Sequence, residues 1–183
     1  MEKFAVIDTE TNWSNQVMSI GTVIADADTF APIDMKYHIL PTECQCGGMY
    51  CDVLFLDTDA EPILCTRAEA MADLRAWLRQ HGVTRIFAYN ARFDRSHLPE
   101  LDDYAWYDIM RLAAYRQYNP CIPADAECCS TGRLKRNYDV EHILCMLTGD
   151  RTYRETHNAI LDAMDELGIM RLLPHCLEDY IPL

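Results

Sequence analysis

Phe4-Ala5-Val6-Ile7 is an unbroken apolar run that stops at Asp8-Thr9-Glu10-Thr11. Four consecutive apolar residues suit a strand buried on both faces, as in a sheet covered by helices. Residues i and i+2 of a strand point to the same side, so Asp8 and Glu10 converge at its end. Two carboxylates held that close repel unless a cation lies between them, and an all-oxygen ligand set suits Mg²⁺ or Mn²⁺. A solvated strand edge can carry the same Asp-x-Glu pattern, so the rest of the chain must decide.

The apolar pattern continues as a leading antiparallel meander. Val17 to Ala25 reads as a second strand, Asp26 to Thr29 as a turn, and alternating Ile33, Met35, Tyr37 and Ile39 as a third strand. Gly47-Gly48 marks a turn, and Tyr50 to Leu56 is expected to form a short strand. Thr66-Arg67-Ala68-Glu69 has the form of a capping box, opening a helix with Met71, Leu74 and Leu78 on its apolar stripe and Gly82 beyond its end. Thr84 to Tyr89 reads as a buried strand feeding Asn90. Asp108 is expected to cap a helix reaching about Tyr118. Two more helices follow, one with Val140, Ile143, Leu144 and Leu147, ended by Gly149, and one with Ile160, Met164 and Leu167, stopped by Gly168. This order predicts an α/β mixed sheet with flanking helices, and the absence of any repeat or linker predicts one domain over 1–183.

Composition narrows the class. Half of the 183 residues are hydrophobic, enough for a substantial core, and no apolar run approaches membrane-spanning length. No basic-then-apolar leader opens the sequence, so the nine cysteines are expected as reduced thiols in a cytoplasmic protein. Cys44, Cys46, Cys51 and Cys65 make a zinc knuckle the alternative, although a single-residue gap is atypical of zinc ligands. The net charge of −13 runs against nucleic-acid binding. It does not exclude it, because bound divalent ions and a local basic patch outweigh a mean field. Arg133, Lys135, Arg136, Arg151 and Arg154 supply such a cluster, either as a phosphate track or as solvated faces.

Two further clusters carry candidate chemistry. Asn90-Ala91-Arg92-Phe93-Asp94 follows the buried strand, where active-site groups of open α/β sheets collect, so Asp94 can join Asp8 and Glu10. The bland alternative makes Asn90 a helix cap. The other cluster is His157-Asn158-Ala159-Ile160-Leu161-Asp162. Within one ideal helix His157 and Asp162 would point about 140° apart. A helix starting near Asn158 instead leaves His157 on the preceding loop, free to turn toward the site Asp162 faces.

Together these segments resemble the histidine-bearing branch of the DEDD superfamily of 3′–5′ exonucleases. Val6 to Thr11, followed by Ser19-Ile20-Gly21, matches its first motif, Asn90 to Asp94 its second, and His157-Asn158-Ala159 with Asp162 its third. Asp108 to Ala113 resembles the helix between the second and third. The resemblance implies a ribonuclease H-like fold and a metal-dependent hydrolase that removes nucleotides from 3′ ends of single-stranded DNA or RNA. It implies two Mg²⁺ or Mn²⁺ ions held by Asp8, Glu10, Asp94 and Asp162, with His157 as general base. The backbone around Thr9 to Thr11 and the side chains of Asn90 and Phe93 would position the terminal nucleotide. Trp13 is either a base-stacking residue or a core tryptophan. The sequence departs from the family pattern where Asn12-Trp13 follows Glu10-Thr11 and where Tyr89 precedes Asn90. A non-catalytic subunit or binding module of the same fold is the alternative. The motifs do not select among DNA, RNA and short oligonucleotides, nor specify a polymerase partner or self-association.

Overall fold

The computed structural model describes residues 2–183. Its centre is a six-stranded sheet in the order β4-β3-β2-β1-β5-β6. The strands are β1 (Lys3–Thr11), β2 (Val17–Asp26), β3 (Pro32–Ile39), β4 (Pro62–Leu64), β5 (Arg85–Ala88) and β6 (Ala105–Asp108). β1, β2 and β3 pair antiparallel, while β4, β5 and β6 join the sheet in parallel. The helices are α1 (Pro41–Cys44), α2 (Arg67–Gln80), α3 (Arg92–His97), α4 (Met110–Ala113), α5 (Val140–Thr148) and α6 (Ala159–Leu172). The result is the expected α/β sheet with a leading meander.

β1 divides the core between its two faces. Phe4 and Val6 pack in one buried cluster with Ile160, Ala163 and Leu167 of α6. Ala5 and Ile7 pack in the other with Leu74, Trp77 and Leu78 of α2. Period-two alternation therefore sends Phe4, Val6, Asp8 and Glu10 toward α6. The β1–β2 register slips between Glu10 and Thr11, an irregularity at the end that carries the carboxylates.

Local chemistry explains most boundaries. Thr66 and Glu69 form the reciprocal capping box that starts α2, and Gly149 in the left-handed region closes α5. Three expectations are corrected, and one strand was missed. Tyr50 to Leu56 contains no strand, and the sheet edge is instead β4, whose Cys65 neighbour donates its N–H to Ile39. The helix after Asp108 ends at Ala113 rather than near Tyr118. The Asn119 side chain captures the Ala113 carbonyl at 2.7 Å and Leu134 N–H captures that of Ala114, so tertiary donors replace the next helical turn. Gly168 does not stop α6, which runs on to Leu172 because Leu167, Ile169 and Met170 around it are buried. β6, only four residues long, went unread in the sequence.

Candidate active site

The site forms where the ends of β1 and β5 meet the start of α6. Asp8 and Glu10 come from β1, Asp94 from α3 and Asp162 from the first turn of α6. α6 reaches them because Gly21 of β2, the cross-strand partner of Asp8, leaves room for it. A Cβ on Gly21 would lie 2.0 Å from the carbonyl oxygen of Ala159. The glycine after Ser19-Ile20 is therefore what lets the helix bearing Asp162 settle on the rung bearing Asp8.

His157 lies just outside α6, as the helix-start argument required. Its φ is 58°, and Asn158 after it is extended. Asn158 is fully buried, and its amide donates to the Val53 carbonyl at 2.7 Å and to the Tyr37 hydroxyl at 3.2 Å. These bonds anchor the start of α6 to β3 and to the 41–61 segment, and Tyr50 of that segment stacks on His157 with ring centroids 4.0 Å apart. Ligand atoms of Glu10, His157 and Asp162 all lie within 4.8 Å of one another. This trio contains no cysteine, and the nine thiols are free.

The remaining expected residues fall close by. Thr9 is buried, its hydroxyl donates to Asp94 at 2.8 Å and its backbone N–H also supports that carboxylate, so Thr9 orients Asp94. Thr11 is half-buried where the β1–β2 register slips. Asn90 is exposed at φ 60°, its N–H bound by the Asp108 carboxylate at 3.0 Å, and it does not cap α3, whose cap position is Ala91. Phe93 is 39 % exposed. Trp13 is 68 % exposed, which removes the core reading.

The electrostatics are dominated by buried carboxylates that repel one another. Burial, reinforced by Glu155 and Asp94, pushes Glu10 up to about 8. Burial followed by Asp94, Glu166, Asp162 and Glu10 drives Asp8 well above the usual carboxylate range. Asp94 and Asp162 are raised as well, chiefly by burial. Burial also lowers His157, against the smaller opposing pull of Glu141 and Asp139. Asp8 Oδ2 and Asp162 Oδ1 are buried without a hydrogen-bond partner. Buried anions with orphaned oxygens are costly unless a cation compensates them, so the donor set fits divalent metal.

Three groups were not singled out from sequence. Glu155 and Glu166 bring further carboxylates to the site, and Tyr50 covers His157. Glu166 had a readable signal, because it follows Asp162 by four residues and so shares its helix face. With Asp8, Tyr89, Asn90 and Arg133, Glu155 and Glu166 line a cleft of about 320 Å³. Arg133 thus reaches the site, its guanidinium 4.8 Å above the Tyr138 ring, whereas Lys135 and Arg136 are exposed.

No protein-family model matches the chain, and comparison with curated proteins yields no match. Solved structures do match. The 3′-exonuclease that recognises the 3′ end of the histone mRNA stem-loop aligns with a TM-score of 0.62 and 12 % identity, covering 99 % of this chain and 70 % of that one. The chain has an exonuclease fold. Exonuclease I of E. coli, in complex with a DNA oligonucleotide, aligns with a TM-score of 0.60 at 14 % identity. Exonuclease I of Methylocaldum szegediense aligns at 0.59 and 15 %. Each of these two matches spans 94 % of this chain but 40 % of the exonuclease I chain. The shared exonuclease fold is the ribonuclease H-like α/β sheet expected from the motifs.

Proposed function

We propose that the chain is a metal-dependent 3′–5′ exonuclease acting on single-stranded DNA or RNA, and that residues 1–183 form its single catalytic domain. The convergence of four carboxylates and a histidine at the end of β1, with buried carboxylate oxygens of Asp8 and Asp162 left without hydrogen-bond partners, carries this reading. The exonuclease fold of its neighbours supports it. Reduced thiols support a cytoplasmic setting.

On this reading Asp8 with Glu10 and Asp162 would hold one Mg²⁺ or Mn²⁺ ion, and Asp8 with Asp94 a second. Bound there, such ions supply the charge that activates water and stabilises a leaving oxygen. His157 takes the proton of the attacking water, a task suited to an imidazole whose pKa is kept below its ordinary value. The water oxygen bonds to phosphorus, the bond to the 3′-oxygen of the penultimate nucleotide breaks, and a 5′-mononucleotide leaves. Thr9 holds Asp94 in orientation. Asn90 and Phe93, with the backbone from Thr9 to Thr11, grip the terminal nucleotide, and exposed Trp13 offers a stacking face to a base. Arg133 faces a phosphate from the side of the cleft.

Incubation with 5′-labelled single-stranded DNA and RNA and Mg²⁺ or Mn²⁺ tests the proposal. A ladder shortening from the 3′ end is expected, blocked by a 3′-phosphate and abolished by EDTA. Rapid cutting of circular single strands, or undiminished hydrolysis in EDTA, contradicts it.

A further inference from the structure

Glu166 is a deeply buried carboxylate that the proposed set of four metal-holding acids does not use. It lies one turn beyond Asp162 on the face of α6 that packs on the sheet, and only 2 % of it is exposed. Its Oε2 has no hydrogen-bond partner. The side groups acting on it most strongly are Asp94, Asp162 and Glu155, all anions, and the backbone of Tyr89 is its favourable neighbour. Ala159, Ala163, Leu167 and Met170 are buried along the same helix, so an apolar residue would fit the surroundings of position 166. A carboxylate there costs free energy unless something positive meets it. Arg133 lines the same cleft but lies over Tyr138.

We propose that Glu166 is a fifth carboxylate of the metal centre, contributing to the ion held by Asp8 and Asp94. This rests on the exonuclease reading and extends it. Asp8 and Glu166 border the same cleft, and Glu166 is among the carboxylates that bear on Asp8. Asp8, Glu10, Asp94 and Asp162 carry four negative charges, which two divalent ions cancel. Glu166 adds a fifth and leaves the loaded centre one charge negative. It therefore strengthens metal retention on the Asp8–Asp94 side, while Glu10 and Asp162 hold the other ion without it.

Calorimetric titration of the metal-free chain with Mn²⁺, followed in parallel by the electron paramagnetic resonance of free Mn²⁺, tests this without substrate. The wild-type chain is expected to take up two equivalents. Glu166→Gln should weaken one of them by about 10–100-fold, the usual scale for a lost ligand or its immediate support, and leave the other unchanged. Glu10→Gln should weaken the complementary one. Metal-free Glu166→Gln should unfold at a temperature no lower than wild type, since it removes an uncompensated buried anion. Should the amide misfold, Glu166→Asp retains the charge one methylene further back and should weaken the same ion by a smaller factor. Unchanged uptake of both ions by either folded variant overturns the proposal and makes Glu166 a buried neutral acid. Failure of the wild-type chain to bind Mn²⁺ at all defeats the exonuclease reading itself, a different result.

Discussion

His157 and Asn90, on two loops that border the site, both adopt the left-handed backbone region, at φ 58° and 60°. A non-glycine residue there costs on the order of 1 kcal/mol or more and persists only where its surroundings enforce it. For His157 the enforcement is visible: buried Asn158 locks the chain on one side and Tyr50 stacks on the ring. The imidazole is therefore aimed before substrate arrives. His157→Ala should lower turnover by roughly 10²–10⁴-fold, as expected for loss of a general base. Mn²⁺ affinity should hardly change. The base must be deprotonated to act, and burial lowers its pKa, so the wild-type rate should fall on the acid side of its ordinary value. That limb should flatten in the variant at saturating metal. Recovery of the variant at high metal concentration would make the histidine a ligand instead, which its distance from Glu10 and Asp162 also permits.

At the scale of elements, the contact that assembles the site is β2 against α6. The helix brings Asp162 and Glu166, the strand pairs with β1, and Gly21 is where they meet. A methyl at Gly21 would meet backbone atoms, which cannot swing aside as a side chain can. Gly21→Ala should destabilise the protein by about 1–3 kcal/mol through overpacking. It should also cost activity by up to about 10²-fold, because the displaced helix carries Asp162, a proposed metal ligand. Denaturant unfolding and single-turnover kinetics together check both. Wild-type turnover in a variant of lowered stability would show that the seat of α6 matters to folding alone.

For the whole molecule the governing fact is buried negative charge. Glu10 moves from an ordinary 4.5 up to about 8, and Asp8, Asp94, Asp162 and Glu166 shift in the same direction. Acids whose pKa is raised by folding bind more protons in the folded state than in the unfolded one between the two values. Metal-free stability should therefore fall as pH rises from about 4.5 toward 8, the interval set by Glu10. Thermal unfolding in EDTA should give a higher Tm at pH 5 than at pH 8. Mn²⁺ at 100 times its Kd should restore about 2.7 kcal/mol at pH 8 for a single site, and much less at pH 5, where protons compete for the same oxygens. An EDTA-treated protein equally stable at both pH values would contradict the burial of these carboxylates.

The sequence by itself determined β1, its paired carboxylates and the meander, because period-two alternation and an apolar run ending in acids are local signals. It left His157 either within the last helix or on the loop before it, and the start of α6 at Ala159 decided for the loop. Tertiary structure alone decided how far the helices ran. α4 stops because Asn119 and Leu134 take the carbonyls of Ala113 and Ala114, and α6 passes Gly168 because the residues around it are buried. The cover of Tyr50 over His157 depends on a loop more than 100 residues away in the chain, which no short-range pattern encodes. Glu166 lies between the two cases. Its helical spacing from Asp162 is legible, but its burial among carboxylates arises only when α6 closes onto the sheet, where an oxygen that water would have solvated is left without a hydrogen-bond partner.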